Sequence, residues 1–240
     1  MTNILMSCMA LDKKWGRLEF SKYIKPSDRV VIIPFPFFDC SVDTAAEWDM
    51  YFGSGGEFYD YFTEPFEFFG IPAKSIRWIN YFTDTPQSAK NKIKSSDIIL
   101  LSDGIPRQML QTLNKLELTE VLKNYKKLII GIGCGAVIQL SDYQVEPCSL
   151  WDFQYFKGLG IIDNIGIEIS FDEFDFPNIS LRKFLEEKKK PIYALHNEGA
   201  VIIEGDKINA VGDVDVISSF DDLDEGIKYC DFLRERLKNA

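Results

Sequence analysis

Apolar positions along this chain fall into short unbroken runs separated by stretches of helical spacing. Such an alternation predicts a mainly parallel sheet with helices on both faces, because strands covered on both sides lose the in-out polarity of exposed sheets. The predicted strands are Ile4 to Met9, Arg29 to Pro34, Ser75 to Tyr81, Asp97 to Leu101 and Leu128 to Ile132. Between Glu57 and Phe69 the aromatics Phe58, Phe62, Phe66 and Phe69 recur at three-to-four spacing, which places them on one helical face, with Pro65 interrupting its middle. A helix opening at Pro106 buries Met109, Leu110, Leu113 and Leu116 and ends before Asn124, and a last helix over Asp224 to Lys238 aligns Leu223, Ile227, Cys230, Leu233 and Leu237.

From Gly158 onward the pattern changes to closely spaced strands: Ile161-Ile162, Ile165 to Phe171, Pro191 to Leu195, Ala200 to Glu204 and Ile208 to Val211. Gly205-Asp206-Lys207 predicts a tight hairpin turn between the last two. No repeat, low-complexity segment or linker divides the chain, so residues 1–240 read as one domain: α/β, doubly wound, with a C-terminal β-hairpin.

Chemistry concentrates at one place. The run Leu128-Ile129-Ile130-Gly131-Ile132-Gly133-Cys134-Gly135-Ala136 is an apolar strand entering a glycine-rich turn, spaced as the strand-to-helix elbow that presents a nucleophile in α/β hydrolases. Its central position is Gly133, which has no side chain with which to attack.

Four segments resemble peptidase family S51, the dipeptidase E and cyanophycinase group, whose fold is similar to class I glutamine amidotransferases and to flavodoxin. They are Ile98 to Gly104, Gly131 to Ala136, Gly158 to Ile162, and Ala194 to Val201 continuing through Gly205-Asp206 to Gly212. Against the family's Gly-x-Ser-Ala-Gly-Ala, this chain reads Gly131-Ile132-Gly133-Cys134-Gly135-Ala136, so the serine position holds Gly133. The position matching the family's histidine holds Ser170. The family's Gly-Gly-Asn-Thr turn, which supplies an oxyanion-hole N–H, corresponds to Asp103-Gly104-Ile105-Pro106. Acyl transfer needs a nucleophile, a base and an orienting acid, so the resemblance implies the scaffold of a serine peptidase without its Ser-His pair. Gly104, Cys134 and Gly135 then remain as a ligand or oxyanion cradle, suited to a small peptide-like or carboxylate ligand, or the chain serves as a protein partner.

Cys134 is the one substitute nucleophile on offer, since a helix N-terminus lowers a thiol pKa, and His196, the sole histidine, is its candidate base in a hydrolase or amidotransferase-like alternative. Asp142, Glu146 and Glu168 are carboxylates between the elbow and the lost base. The spacing of Gly131, Gly133 and Gly135 also invites a dinucleotide reading, weakened by its mid-chain location.

Charge narrows the partners. A net charge of -10 argues against nucleic acid as a main partner, and Lys188-Lys189-Lys190 sits beside Glu186 and Glu187 as a solvated helix end. The start carries no signal-peptide pattern and no window matches a membrane span, which predicts a soluble, cytoplasmic protein without a membrane partner. Cys8, Cys40, Cys134, Cys148 and Cys230 lack any Cys-x-x-Cys pair, so reduced thiols and no metal site are expected, and no cofactor is implied. The aromatic-rich region Trp48 to Phe69 suggests a homo-oligomer interface if its rings are exposed.

Overall fold

The computed structural model describes residues 1–35, 42–145, 153–171 and 178–228. Five parallel strands lie side by side in the sheet, with the third at its edge: β1 (Thr2–Met6), β2 (Val30–Ile33), β3 (Ile76–Trp78), β4 (Ile98–Leu101) and β5 (Leu128–Ile132). A two-stranded ribbon, β6 (Asp142–Val145) with β7 (Gln154–Lys157), stands apart. The sheet is completed by β8 (Gly166–Glu168), β9 (Ile192–Glu204) and β10 (Lys207–Ile217), giving the order β10-β9-β1-β5-β4-β2-β3 with β8 beside β9. β9 runs antiparallel to β1 and folds back on β10 as the expected hairpin.

Every residue of β2, β4 and β5 is buried, which is why these strands read as unbroken apolar runs. Successive side chains serve opposite faces. Ile98, Leu100, Leu128 and Ile130 pack against Phe20, Trp48, Phe52, Phe62 and Phe66 on one side. Ile99, Leu101 and Ile129 pack against Ala89, Ile93, Met109, Leu113 and Leu122 on the other. The helices on both faces confirm the doubly wound reading.

The aromatic stripe forms the helix Tyr59–Phe68 and keeps Pro65 inside it, because burying Phe62 and Phe66 fully outweighs one lost hydrogen bond. Trp48 and Phe52 come from the preceding helix Ala45–Phe52, started by a Thr44–Glu47 capping box, and are buried in the same cluster. These four rings are core, while Tyr61 and Phe68 of the same region are exposed.

Three strand expectations are corrected. Pro191 to Leu195 and Ala200 to Glu204 are one strand, β9, crossing the polar His196-Asn197-Glu198 segment through a bulge against Gly212 to Val214 of β10. Ile162 makes only an isolated bridge with Leu140. The strand over Ile165 to Phe171 stops at Glu168, and Ser170 beyond it has a left-handed backbone, φ 51°. The helix from Pro106 ends at Lys115 and a second, Thr119–Lys123, follows it. Residues 224–228 are helical as expected and the helix starts earlier, at 220, while Leu233 and Leu237, like Cys40, Glu146, Cys148 and Cys230, lie outside the described residues. Among those residues no helix is long and apolar enough to cross a membrane.

Candidate functional site

The carboxyl ends of β1, β5 and β4 meet around Gly133. Parallel pairing sets Met6 beside Ile132 and Leu101 beside Gly131, and the Gly133 N–H donates to Met6 O at 2.8 Å. Gly133 turns the chain with φ 55° and ψ -126°, immediately before the four-residue helix Cys134–Val137. This is the backbone of a nucleophile elbow, a conformation that costs a side-chain-bearing residue about 1–3 kcal/mol and glycine little. The turn also lies hard against β4: a Cβ on Gly135 would come within 2.3 Å of Leu101 O and 2.5 Å of Ser102 O. Close packing thereby accounts for the glycine spacing without a dinucleotide.

Asp103 fills the elbow. Its Oδ1 accepts the Cys134 N–H at 2.7 Å and the Gly104 N–H at 2.8 Å, the two donors that the family resemblance assigns to the oxyanion hole. A Cβ built on Gly133 would lie 2.4 Å from both Cγ and Oδ1 of Asp103 and 2.8 Å from Oδ2. The carboxylate therefore stands where a nucleophile's side chain would begin. Its backbone is fixed by Ser102, whose buried hydroxyl accepts the Phe35 N–H at 2.7 Å and donates to Asp103 O at 2.9 Å.

Cys134 is 8% exposed and packs in the cluster with Val31, Leu101 and Met109. Burial foremost, then the charge of Asp103 and a side-chain hydrogen bond to it, push the thiol pKa well above its ordinary value. The expected lowering by the helix N-terminus is overridden, because a thiolate there would be desolvated and would face a carboxylate.

His196 projects from the bulge in β9. Its Nε2 lies 3.1 Å from Asp215 Oδ2, its Nδ1 lies 4.0 Å from Asp213 Oδ2, and its ring meets Phe171 edge-on at 5.1 Å between centroids. These contacts hold it to the β10 side of the sheet. Ser170, at the family's histidine position, donates its N–H to Ser7 Oγ at 2.9 Å, and Ser7 in turn donates to Leu195 O at 2.8 Å. Asp142 pairs with Lys157 and Lys188, and Glu168 Oε2 lies 3.5 Å from Gln144 Nε2.

Two further groups meet the chain just after β1. The Tyr61 hydroxyl accepts the Met9 N–H at 3.0 Å, and its pKa is raised by burial and by the charges of Cys8 and Asp103. Cys8, half-buried, donates through Sγ to Asn197 O at 3.3 Å. Sequence reasoning gave no role to Asp103, Tyr61 or Ser7. The strand register reveals Asp103: extending the pairing of Leu101 with Gly131 by two residues sets Asp103 opposite Gly133. Among the described residues no group of three or more His, Cys, Asp or Glu side chains is arranged to hold a metal ion.

The model of peptidase family S51 matches residues 54–211, well over half of the chain, and the chain belongs to that family. Its fold is similar to a crystal structure of a candidate peptidase E from Listeria monocytogenes EGD-e, with a TM-score of 0.56, 19% identity, and coverage of 87% of this chain and 96% of the other. The comparison with curated proteins finds no match.

Proposed function

We propose that this S51 member has left the serine-peptidase mechanism and uses the mouth of its elbow to bind a small peptide-like ligand without cutting it. The observation that carries the reading is the seat of Asp103 on the Cys134 and Gly104 N–H groups. Peptide hydrolysis by the family route needs a nucleophile at the elbow tip and free donors for the oxyanion. Here the tip is Gly133 and both donors are engaged by the protein's own carboxylate. The same engagement removes the support for a carboxylate ligand in that cradle. A Cys134 nucleophile is the weaker reading, because its thiol is buried and held protonated beside Asp103.

The test is hydrolysis of Asp-Leu and β-Asp-Leu by the purified protein. The expected result is release of leucine no faster than in buffer. Turnover on the order of 1 per second or faster, ordinary for an enzyme, would refute the proposal.

A further inference from the structure

The connections of the parallel strands diverge between β2 and β4. From β2 the chain runs outward to β3 at the sheet edge, and from β4 it runs inward to β5, so two neighbouring strands send their chains in opposite directions. Trp48 and Phe62 of the outward connection pack on one face of the sheet, and Met109 and Leu113 of the inward one on the other. An open α/β sheet leaves a crevice at the carboxyl ends of such strands, the usual seat of a ligand.

Here that crevice is a cleft of about 260 Å³. Phe35, two residues beyond β2, and Tyr81, three beyond β3, give it an apolar side. The helix Pro106–Lys115, which follows β4, lines it with Gln108, Gln111, Thr112 and Lys115, whose i, i+3, i+4, i+7 spacing sets them on one helix face. Pockets for drug-sized molecules span roughly 300–1,000 Å³, so this one suits a small ligand.

The polar lining consists of two carboxamides, a hydroxyl and an ammonium, all of them donors, and no carboxylate is among the described residues that line the cleft. In a chain with 37 acidic and 27 basic residues, that is a local reversal of charge. The acids that follow Lys115 are engaged elsewhere, Glu117 with Lys90 and Glu120 with Lys123. Among the described residues Lys115 itself has no ion pair.

We propose that this cleft binds a small monocarboxylate with an apolar body. Lys115 is its counter-ion, Gln108, Gln111 and Thr112 donate to its polar end, and Phe35 and Tyr81 receive the apolar part. The proposal goes beyond the reading of the elbow and does not depend on it.

The experiment compares N-acetyl-leucine with N-acetyl-leucinamide, which has the same shape without the charge, by calorimetry on the whole protein. The carboxylate is expected to bind roughly fivefold more tightly, the scale of an ion pair open to solvent on one side. Acetate, which has the charge without the apolar body, should bind at least about tenfold more weakly than N-acetyl-leucine. Lys115→Met keeps the aliphatic stem and should bring the two leucine probes to equal affinity, while Lys115→Arg should keep the preference. Gln111→Trp, at an exposed helix position, fills the cleft and should abolish binding of both, with an unchanged circular dichroism spectrum showing that the fold is intact. Equal affinities in the wild type, no binding of N-acetyl-leucine up to millimolar concentration, acetate as tight as N-acetyl-leucine, an unchanged ratio in Lys115→Met, or full binding by Gln111→Trp would each overturn the proposal.

Discussion

The Asp103 carboxylate and the absent side chain of Gly133 claim one volume: a Cβ on Gly133 would lie 2.4 Å from Asp103 Oδ1. The two positions are therefore coupled. A residue with a side chain at the elbow would be strained by the left-handed backbone and would have to displace the acid. Glycine removes the strain, and Asp103 Oδ1 accepts from the Cys134 and Gly104 N–H groups. The side-chain-free tip and the occupied cradle are two sides of one arrangement.

Cysteine reactivity follows from burial. Cys134 is buried against Asp103, and Cys8 is half-buried with its thiol pKa raised first by desolvation and opposed by Lys13. Site-resolved mass spectrometry after iodoacetamide treatment at neutral pH should find Cys8 alkylated faster than Cys134. Faster labelling of Cys134 would revive it as a nucleophile.

Ser7 ties down Ser170, the position that matches the family's histidine by resemblance. Its hydroxyl accepts from Ser170 N–H and donates to Leu195 O, and Ser7 itself is buried. Ser7→Ala removes both bonds; Leu195 O keeps the Phe171 N–H at 3.0 Å, so the Ser170 N–H is the group left unmatched, and urea unfolding should show a loss of about 1 kcal/mol. A loss below about 0.5 kcal/mol, the range of an ordinary surface change, would mean that water replaces the hydroxyl.

Legibility of the fold followed burial on both faces. β2, β4 and β5 were readable because parallel strands between two helical layers are apolar throughout. The β6–β7 ribbon was not, because Gln154–Lys157 is largely exposed and carries no apolar alternation. β9 was split in the sequence reading because His196-Asn197-Glu198 is polar, and a bulge lets the strand carry those residues without ending. At the site, the vacancy at Gly133 was visible in the motif. Its filling by Asp103 was not, since that depends on the register between two strands distant in sequence.

Acid sensitivity comes from paired carboxylates. Side-chain hydrogen bonds from Lys157 and Lys188 hold Asp142 below its ordinary value of 3.8, tying β6 to the helix Asn178–Lys188. Burial alone would raise Asp97, but bonds from Lys127 and Arg29 overcome it and lower that group too. A depressed folded pKa means that the unfolded chain takes up protons first as pH falls. The stabilisation is complete above the unfolded value near 3.8 and fades as pH drops through the lower folded value. Thermal melts of Asp142→Asn should show a reduced acid dependence below pH 4 and a loss at neutral pH within about 1 kcal/mol, as for partly exposed pairs. An acid limb identical to the wild type would remove Asp142 from this account.

The shared volume at the elbow is tested most directly by a double-mutant cycle of Gly133→Ala and Asp103→Gly, read by chemical denaturation. Alanine at position 133 carries backbone strain in either background, but it meets the carboxylate only when Asp103 is present. Gly133→Ala is predicted to cost at least about 1 kcal/mol more in the wild type than in the Asp103→Gly background, within the range of coupling for residues in contact. Additive costs would contradict the claim that Asp103 occupies the place of a side chain at position 133.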